Sequence, residues 1–195
     1  MPLKRFQSVK SEIRVLGIDD GKFVPHTKGI VDIVGVVYRG AHSFDGIMKT
    51  KITIDGFDAT EKFALMIKNS PYYEEIRVVV LDGVTFGGFN VVDISELFSL
   101  IDVPIISIAR KKPNMENIKA ALQNLTDFDV RWAIMKNMGE PFEVEVKPEL
   151  NPVYLHLAGI LCEDAKMILK KASSIANIPE ALRVAHLIAS GLSPI

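Results

Sequence analysis

Cysteine is nearly absent: Cys162 is the only one in 195 residues. That excludes an internal disulfide framework and any zinc cluster built from cysteines alone, and makes the cytoplasm the expected compartment. An excess of either charge is also lacking, with 23 Lys+Arg against 24 Asp+Glu and a net charge of -1. A broadly basic coat for nucleic acid is therefore excluded, and any contact with it needs a local patch. No apolar run approaches the ~20 residues that span a bilayer, so no membrane partner is expected. The basic opening is interrupted by Ser11 and Glu12 before a signal-peptide core can form. There is no repeat, low-complexity tract or Gly/Ser linker. Neither GxxxxGK[ST] nor a GxGxxG after a strand occurs, so the common phosphate-cradling loops are missing.

The composition that remains, 48% apolar and 24% charged, is that of a globule with a real core. We expect one domain over residues 1–195. Strands are expected at 13–18, 30–38 and 46–54, the last two joined as a hairpin through Gly40. The period then changes. Asp58 and Glu61 have the spacing of a capping box, opening a helix to about Lys68 that Ser70-Pro71 closes. Residues 76–81 (Ile-Arg-Val-Val-Val-Leu) and 104–109 read as strands covered on both faces, with a helix at 91–100 between them. Helices at 115–124 and 129–136, strands at 142–146 and 153–157, and helices at 163–176 and 179–189 follow, Gly191 acting as the last stop. This order predicts an α/β fold: a mixed five-stranded sheet of ribonuclease-H-like arrangement, flanking helices and a mixed α/β C-terminal extension.

If the first strand lies parallel to the Ile76 strand, Asp19 and Asp82 meet at one carboxyl edge, where open α/β sheets bind ligands. Two carboxylates that close repel each other, and a divalent cation removes the conflict. The competing reading is plain turn chemistry, Asp before Gly. Glu61 is a third candidate ligand, with a helix-start role as its simpler reading; the two roles are not exclusive. His186 lies in a nearly all-apolar helix, where a buried, hydrogen-bonded core histidine is the simpler reading and a proton-handling group the alternative. His26, His42 and His156 read as loop or surface residues. Arg110-Lys111-Lys112 makes a basic cluster at the same edge, fit for phosphate or simply a solvated turn. The aromatic loop Phe86-Gly87-Gly88-Phe89 is read as anchored on the core, with base stacking as the alternative.

The segments ending in Leu-Gly-Ile-Asp19 and Val-Val-Leu-Asp82-Gly83, the run Pro104-Ile-Ile-Ser-Ile-Ala-Arg110 and the run Pro179-Glu-Ala-Leu-Arg-Val-Ala-His186 resemble, in order, landmarks of endonuclease V. From Arg14 to Leu192 the chain more closely resembles an uncharacterised archaeal family, domain of unknown function 99, through residues 54–61 and 82–93. The resemblance implies a ribonuclease-H-like nuclease fold with Mg2+ (or Mn2+) held by Asp19, Glu61 and Asp82. It also implies a phosphate-facing Arg110 in place of a lysine, and a site histidine at His186. The nuclease's Pro-Tyr-Ile-Pro-Gly wedge is replaced by Lys51-Ile-Thr-Ile-Asp-Gly56, so inosine specificity is not carried over. Three functions follow as expectations. The first is a Mg2+-dependent phosphodiester hydrolase on nucleic acid (DNA or RNA). The second is a non-catalytic nucleic-acid-binding module on the same fold. The third is an enzyme acting on a small phosphorylated metabolite.

Overall fold

A computed structural model describes residues 3–25 and 27–192. His26 therefore lies outside the described residues. The chain runs β1 (Arg14–Asp20), β2 (Ile30–Arg39), β3 (Ser43–Thr53), α1 (Ala59–Lys68), β4 (Val78–Asp82), β5 (Thr85–Phe86), β6 (Asn90–Val91), α2 (Ile94–Ile101) and β7 (Ile105–Ala109). It continues with α3 (Met115–Leu122), α4 (Phe128–Asn137), β8 (Phe142–Val144), β9 (Val153–Ala158), α5 (Cys162–Ala172) and α6 (Glu180–Leu192). The fold is mixed α/β, as expected. One sheet has the order β3-β2-β1-β4-β7-β9-β8. β1, β4 and β7 are parallel neighbours, and the β2–β3 hairpin adds antiparallel to β1. The C-terminal strands β9 and β8 do not form a separate layer. They extend the five-stranded core antiparallel from β7.

Each central strand is apolar on both sides because each side is covered. Leu16, Ile18, Val79, Leu81 and Ile105 lie in the core shared with Phe63 of α1, Leu97 of α2, Leu122 of α3 and Met135 of α4. Val15, Val78, Val80, Ile106 and Ile108 lie in the opposite core, with Ala165 and Ile168 of α5 and Leu182 of α6. Phe86 is buried edge-on against Phe63 at 4.9 Å between ring centroids, so the aromatic loop is indeed anchored on the core. It caps a two-strand hairpin, β5–β6, that takes up the start of the helix expected from 91. That helix begins only at Ile94, where Asp93 accepts from the amides of Ser95 and Glu96.

Two further local expectations are corrected. The Asp58–Glu61 capping box does not form: Asp58 makes no side-chain cap bond. Its carboxylate instead accepts from the Thr53 amide and hydroxyl and from Asn90. Burial alone would raise this carboxyl's pKa; those hydrogen bonds outweigh it and hold the pKa below the usual range. Gly191 does not stop α6, which runs to Leu192. Among the described residues no helix is long and apolar enough to cross a membrane.

Candidate metal centre

The period of a strand decides which acids meet. Ile18 pairs with Leu81 across the parallel β1–β4 ladder, so Asp19 and Asp82, one residue on, sit side by side. Both fall on the face that carries Val15 and Val80, beneath α6. Asp82 is paired in turn with Ile108 of β7, and Arg110, two residues further, falls on that same face. Asp19 lies within β1 rather than just past it, and so does Asp20. Asp20 points to the opposite face, where its carboxylate accepts from the Gly87 amide at 2.6 Å and tethers the β5–β6 turn.

The third member comes from α6. Gly17 sits under this helix so closely that a Cβ there would lie 2.3 Å from the Ala181 carbonyl carbon and the Leu182 amide nitrogen. From that crossing point α6 runs on beside β1. Two strand residues advance about 6.6 Å and four to five helix residues about 6–7 Å, which brings His186 level with Asp19. The imidazole Nδ1 and Asp19 Oδ2 are hydrogen-bonded at 2.6 Å. The expectation of a buried His186 is corrected: its side chain is 49% exposed, whereas that of Asp19 is 6% exposed.

Asp19, Asp82 and His186 each offer a ligand atom, and these atoms all lie within 4.8 Å of one another. Ligands at about 2.0–2.1 Å from one octahedral ion stand about 3 Å apart when adjacent and about 4 Å when opposite, so a small inward movement of these side chains would let them share a single cation. The Asp19 carboxyl is pushed up to about 7, first by burial and then by the charge of Asp82. A nearly buried acid that resists ionisation beside a second acid is what a divalent cation would relieve. Arg110 reaches Asp82 Oδ2 at 3.4 Å, with half of its own side chain in solvent. Glu61, expected as a third ligand, does not join the group. It sits exposed on the first turn of α1, a helix packed on the opposite side of the sheet from Asp19 and Asp82.

This charge arrangement fixes a pH dependence. Asp19 titrates near 7 folded against about 4 unfolded, so the metal-free protein has that contribution in full below pH 4 and loses it as pH rises through 7. The loss is expected to be on the order of 2–4 kcal/mol. The expected thermal melts show a falling midpoint from pH 5 to pH 8 in EDTA. Added Mn2+ is expected to raise the midpoint more at pH 8 than at pH 5. A midpoint in EDTA that climbs over this range would contradict the assignment.

Sequence reasoning gave no role to Arg131. It is 2% exposed, and its guanidinium donates to the carbonyls of Asp55, Gly56 and Phe89 while stacking on Phe57. It thereby ties the 55–57 loop to the β5–β6 turn near the sheet edge. Arg131→Met would leave three carbonyls without a donor, and we expect a loss of about 3 kcal/mol or more in urea unfolding. His156 was also misassigned. It is not a surface residue but a buried member of β9, opposite Ser107.

The chain resembles known proteins along nearly all of its length. Residues 11–193 match the family model described as endonuclease dU. The chain belongs to that family. A UPF0215 protein of Methanosarcina acetivorans is 47% identical over 184 residues, 94% of this chain and 92% of the relative. Another from Methanothermobacter thermautotrophicus is 44% identical over 189 residues, 96% and 91% of the two chains. A protein of unknown function from Archaeoglobus fulgidus has a TM-score of 0.82 at 34% identity, covering 92% of this chain and 97% of its own. Endonuclease V of Bacillus subtilis has a TM-score of 0.64 at 12% identity, with 96% and 84% covered. The expected kinship with endonuclease V thus holds in the fold of an endonuclease dU family member.

Proposed function

We propose that this endonuclease dU family member is a divalent-cation-dependent phosphodiester hydrolase acting on nucleic acid, built as one domain over residues 1–195. The observation that carries this reading is the convergence of Asp19, Asp82 and His186, with ligand atoms within 4.8 Å of one another, at the carboxyl edge of the parallel strands. Asp19 and Asp82 would hold Mg2+ or Mn2+, with His186 beside them; the imidazole nitrogen makes the set more hospitable to Mn2+ than an all-oxygen cage. A cation bound there would polarise the phosphate and activate a water for attack. Support also comes from the family description, which names an endonuclease, and from the Ciona intestinalis endonuclease V of similar fold, solved with a 24mer DNA (TM-score 0.58, 16% identity).

The chain's own groups divide the remaining work. His186 Nδ1 is hydrogen-bonded to Asp19, and the exposed side of the imidazole faces solvent, where a proton carried on its other nitrogen would be placed to pass to a leaving oxygen. Arg110 is long enough to move from Asp82 to the scissile phosphate, a charge-assisted contact stronger than its present 3.4 Å pair. Lys111 and Lys112 continue the positive charge along the strand backbone.

The test is cleavage of single-stranded and duplex oligonucleotides, with and without deoxyuridine because of the family's description, in Mn2+ or Mg2+ against EDTA. Cation-dependent products are expected, and their absence from every oligonucleotide would refute hydrolysis. A non-catalytic binding module is the second reading. It is favoured by Arg110 already resting on Asp82 and by Glu61 standing apart, and it would give binding that weakens steeply with salt and no turnover.

A further inference from the structure

A positive side chain of the protein itself stands against the acidic edge. Arg110 follows the end of β7 on the face that Asp19 and Asp82 share, and its guanidinium lies 3.4 Å from Asp82 Oδ2. Neither partner is locked. Half of the arginine side chain is in solvent, and the contact is single and long, not the paired fork that a guanidinium can make with a carboxylate. A pair this exposed is weakly held, so the arginine can leave Asp82 for another anion at little cost.

A divalent cation on Asp19 and Asp82 would change that balance. It would stand about 2.1 Å from a carboxylate oxygen, and so within about 5–6 Å of a guanidinium that stayed where it is. Repulsion between a single and a double charge that close is worth on the order of tenfold in binding even at the dielectric of water, and more where protein excludes water. Asp82 therefore cannot serve both partners at full strength. A phosphodiester offers the arginine a better place, because its two free oxygens match the guanidinium fork. Lys111 and Lys112, both exposed, follow Arg110 out of the strand, so a phosphate arriving there meets further positive charge.

We propose that Arg110 is an exchangeable counter-ion: it rests on Asp82 until the phosphate of a bound strand draws it away, and the divalent cation and the nucleic acid thereby bind cooperatively. The protein alone holds the cation loosely and the complex holds it firmly. By linkage, the cation tightens the strand by the same factor. The inference rests on the reading of the Asp19–Asp82 edge as a cation and nucleic-acid site.

The experiment is a cycle of Mn2+ titrations, read by the EPR signal of free Mn2+. Wild type and Arg110→Gln are each titrated alone and with a saturating short single-stranded DNA, and uptake by the DNA itself is subtracted. Gels of the same samples record whether the strand is cut. Alone, Arg110→Gln is expected to bind Mn2+ about tenfold more tightly than wild type, a gain that neither loss of a ligand nor loosening of the fold would give. With the strand bound, the two proteins are expected to agree within about threefold, so the strand tightens Mn2+ more in wild type than in the variant. Arg110→Lys keeps the charge and is expected to stay near wild type when alone. Mn2+ binding by Arg110→Gln alone that equals or falls below that of wild type overturns the exchange. An equal gain in both proteins on adding the strand does so too. If wild type then still cuts oligonucleotides in Mn2+, the hydrolase reading stands without the exchange. If the exchange appears and no oligonucleotide is cut, Arg110 couples cation to strand and hydrolysis is refuted. Mn2+ bound by neither protein, with or without the strand, overturns both.

Discussion

Asp82→Asn is expected to lower Mn2+-dependent cleavage by at least about 100-fold while the protein remains folded. The substitution keeps volume and removes one carboxylate oxygen charge from a group of three ligands, and losses of this size are usual when a preorganised charge leaves a reacting phosphate. The side chain is 22% exposed, and among the described residues its ion pair is with Arg110 at 3.4 Å, a pair that contributes little to stability at this exposure. The same change removes the neighbouring charge that helps push the Asp19 carboxyl up to about 7. Metal-free Asp82→Asn is therefore expected to melt no lower than wild type at pH 8. Asp19→Asn should go further, with lost cleavage and a raised melting midpoint at pH 8, because a neutral amide replaces a buried acid that resists ionising. Variants that cut within tenfold of wild type would remove both residues from the reaction.

Gly17→Ala is expected to cost about 3 kcal/mol of unfolding free energy. The added Cβ would meet the Ala181 carbonyl carbon and the Leu182 amide at 2.3 Å and the Leu182 Cα at 2.5 Å. All three are backbone atoms of α6, so no side-chain rotation relieves the clash and the helix must lift. Lifting it also parts His186 from Asp19, and a displacement near 1 Å can cost about 100-fold in rate. Gly35→Ala supplies the contrast. Its Cβ would approach the Met48 side chain at 2.7 Å, which is flexible and can move away, so a loss under about 1 kcal/mol is expected. Equal urea midpoints for the two variants, at equal slopes, would contradict this contrast.

The strands and the two acids at the sheet edge were readable because their signals are local. Runs such as Val78-Val79-Val80-Leu81 demand cover on both faces, and a polar residue can follow them only where the sheet ends. The mixed α/β class follows from that; the parallel pairing of β1 with β4, on which the meeting of Asp19 with Asp82 depends, was an assumption that the assembled sheet bears out. Periodicity did not say that Asp19 faces α6 while Asp20 faces the β5–β6 turn, because β1 is apolar on both sides and its pattern marks neither face. Nor did it show that His186 is half in solvent, since α6 is nearly apolar all round and only its crossing at Gly17 sets which side meets the edge. Glu61 stood apart, and Arg131 and His156 proved buried, for the same reason. Local sequence carries the period of each element, whereas a side chain's partners are set by which neighbouring element packs on its face, and that is decided only once the whole sheet is assembled.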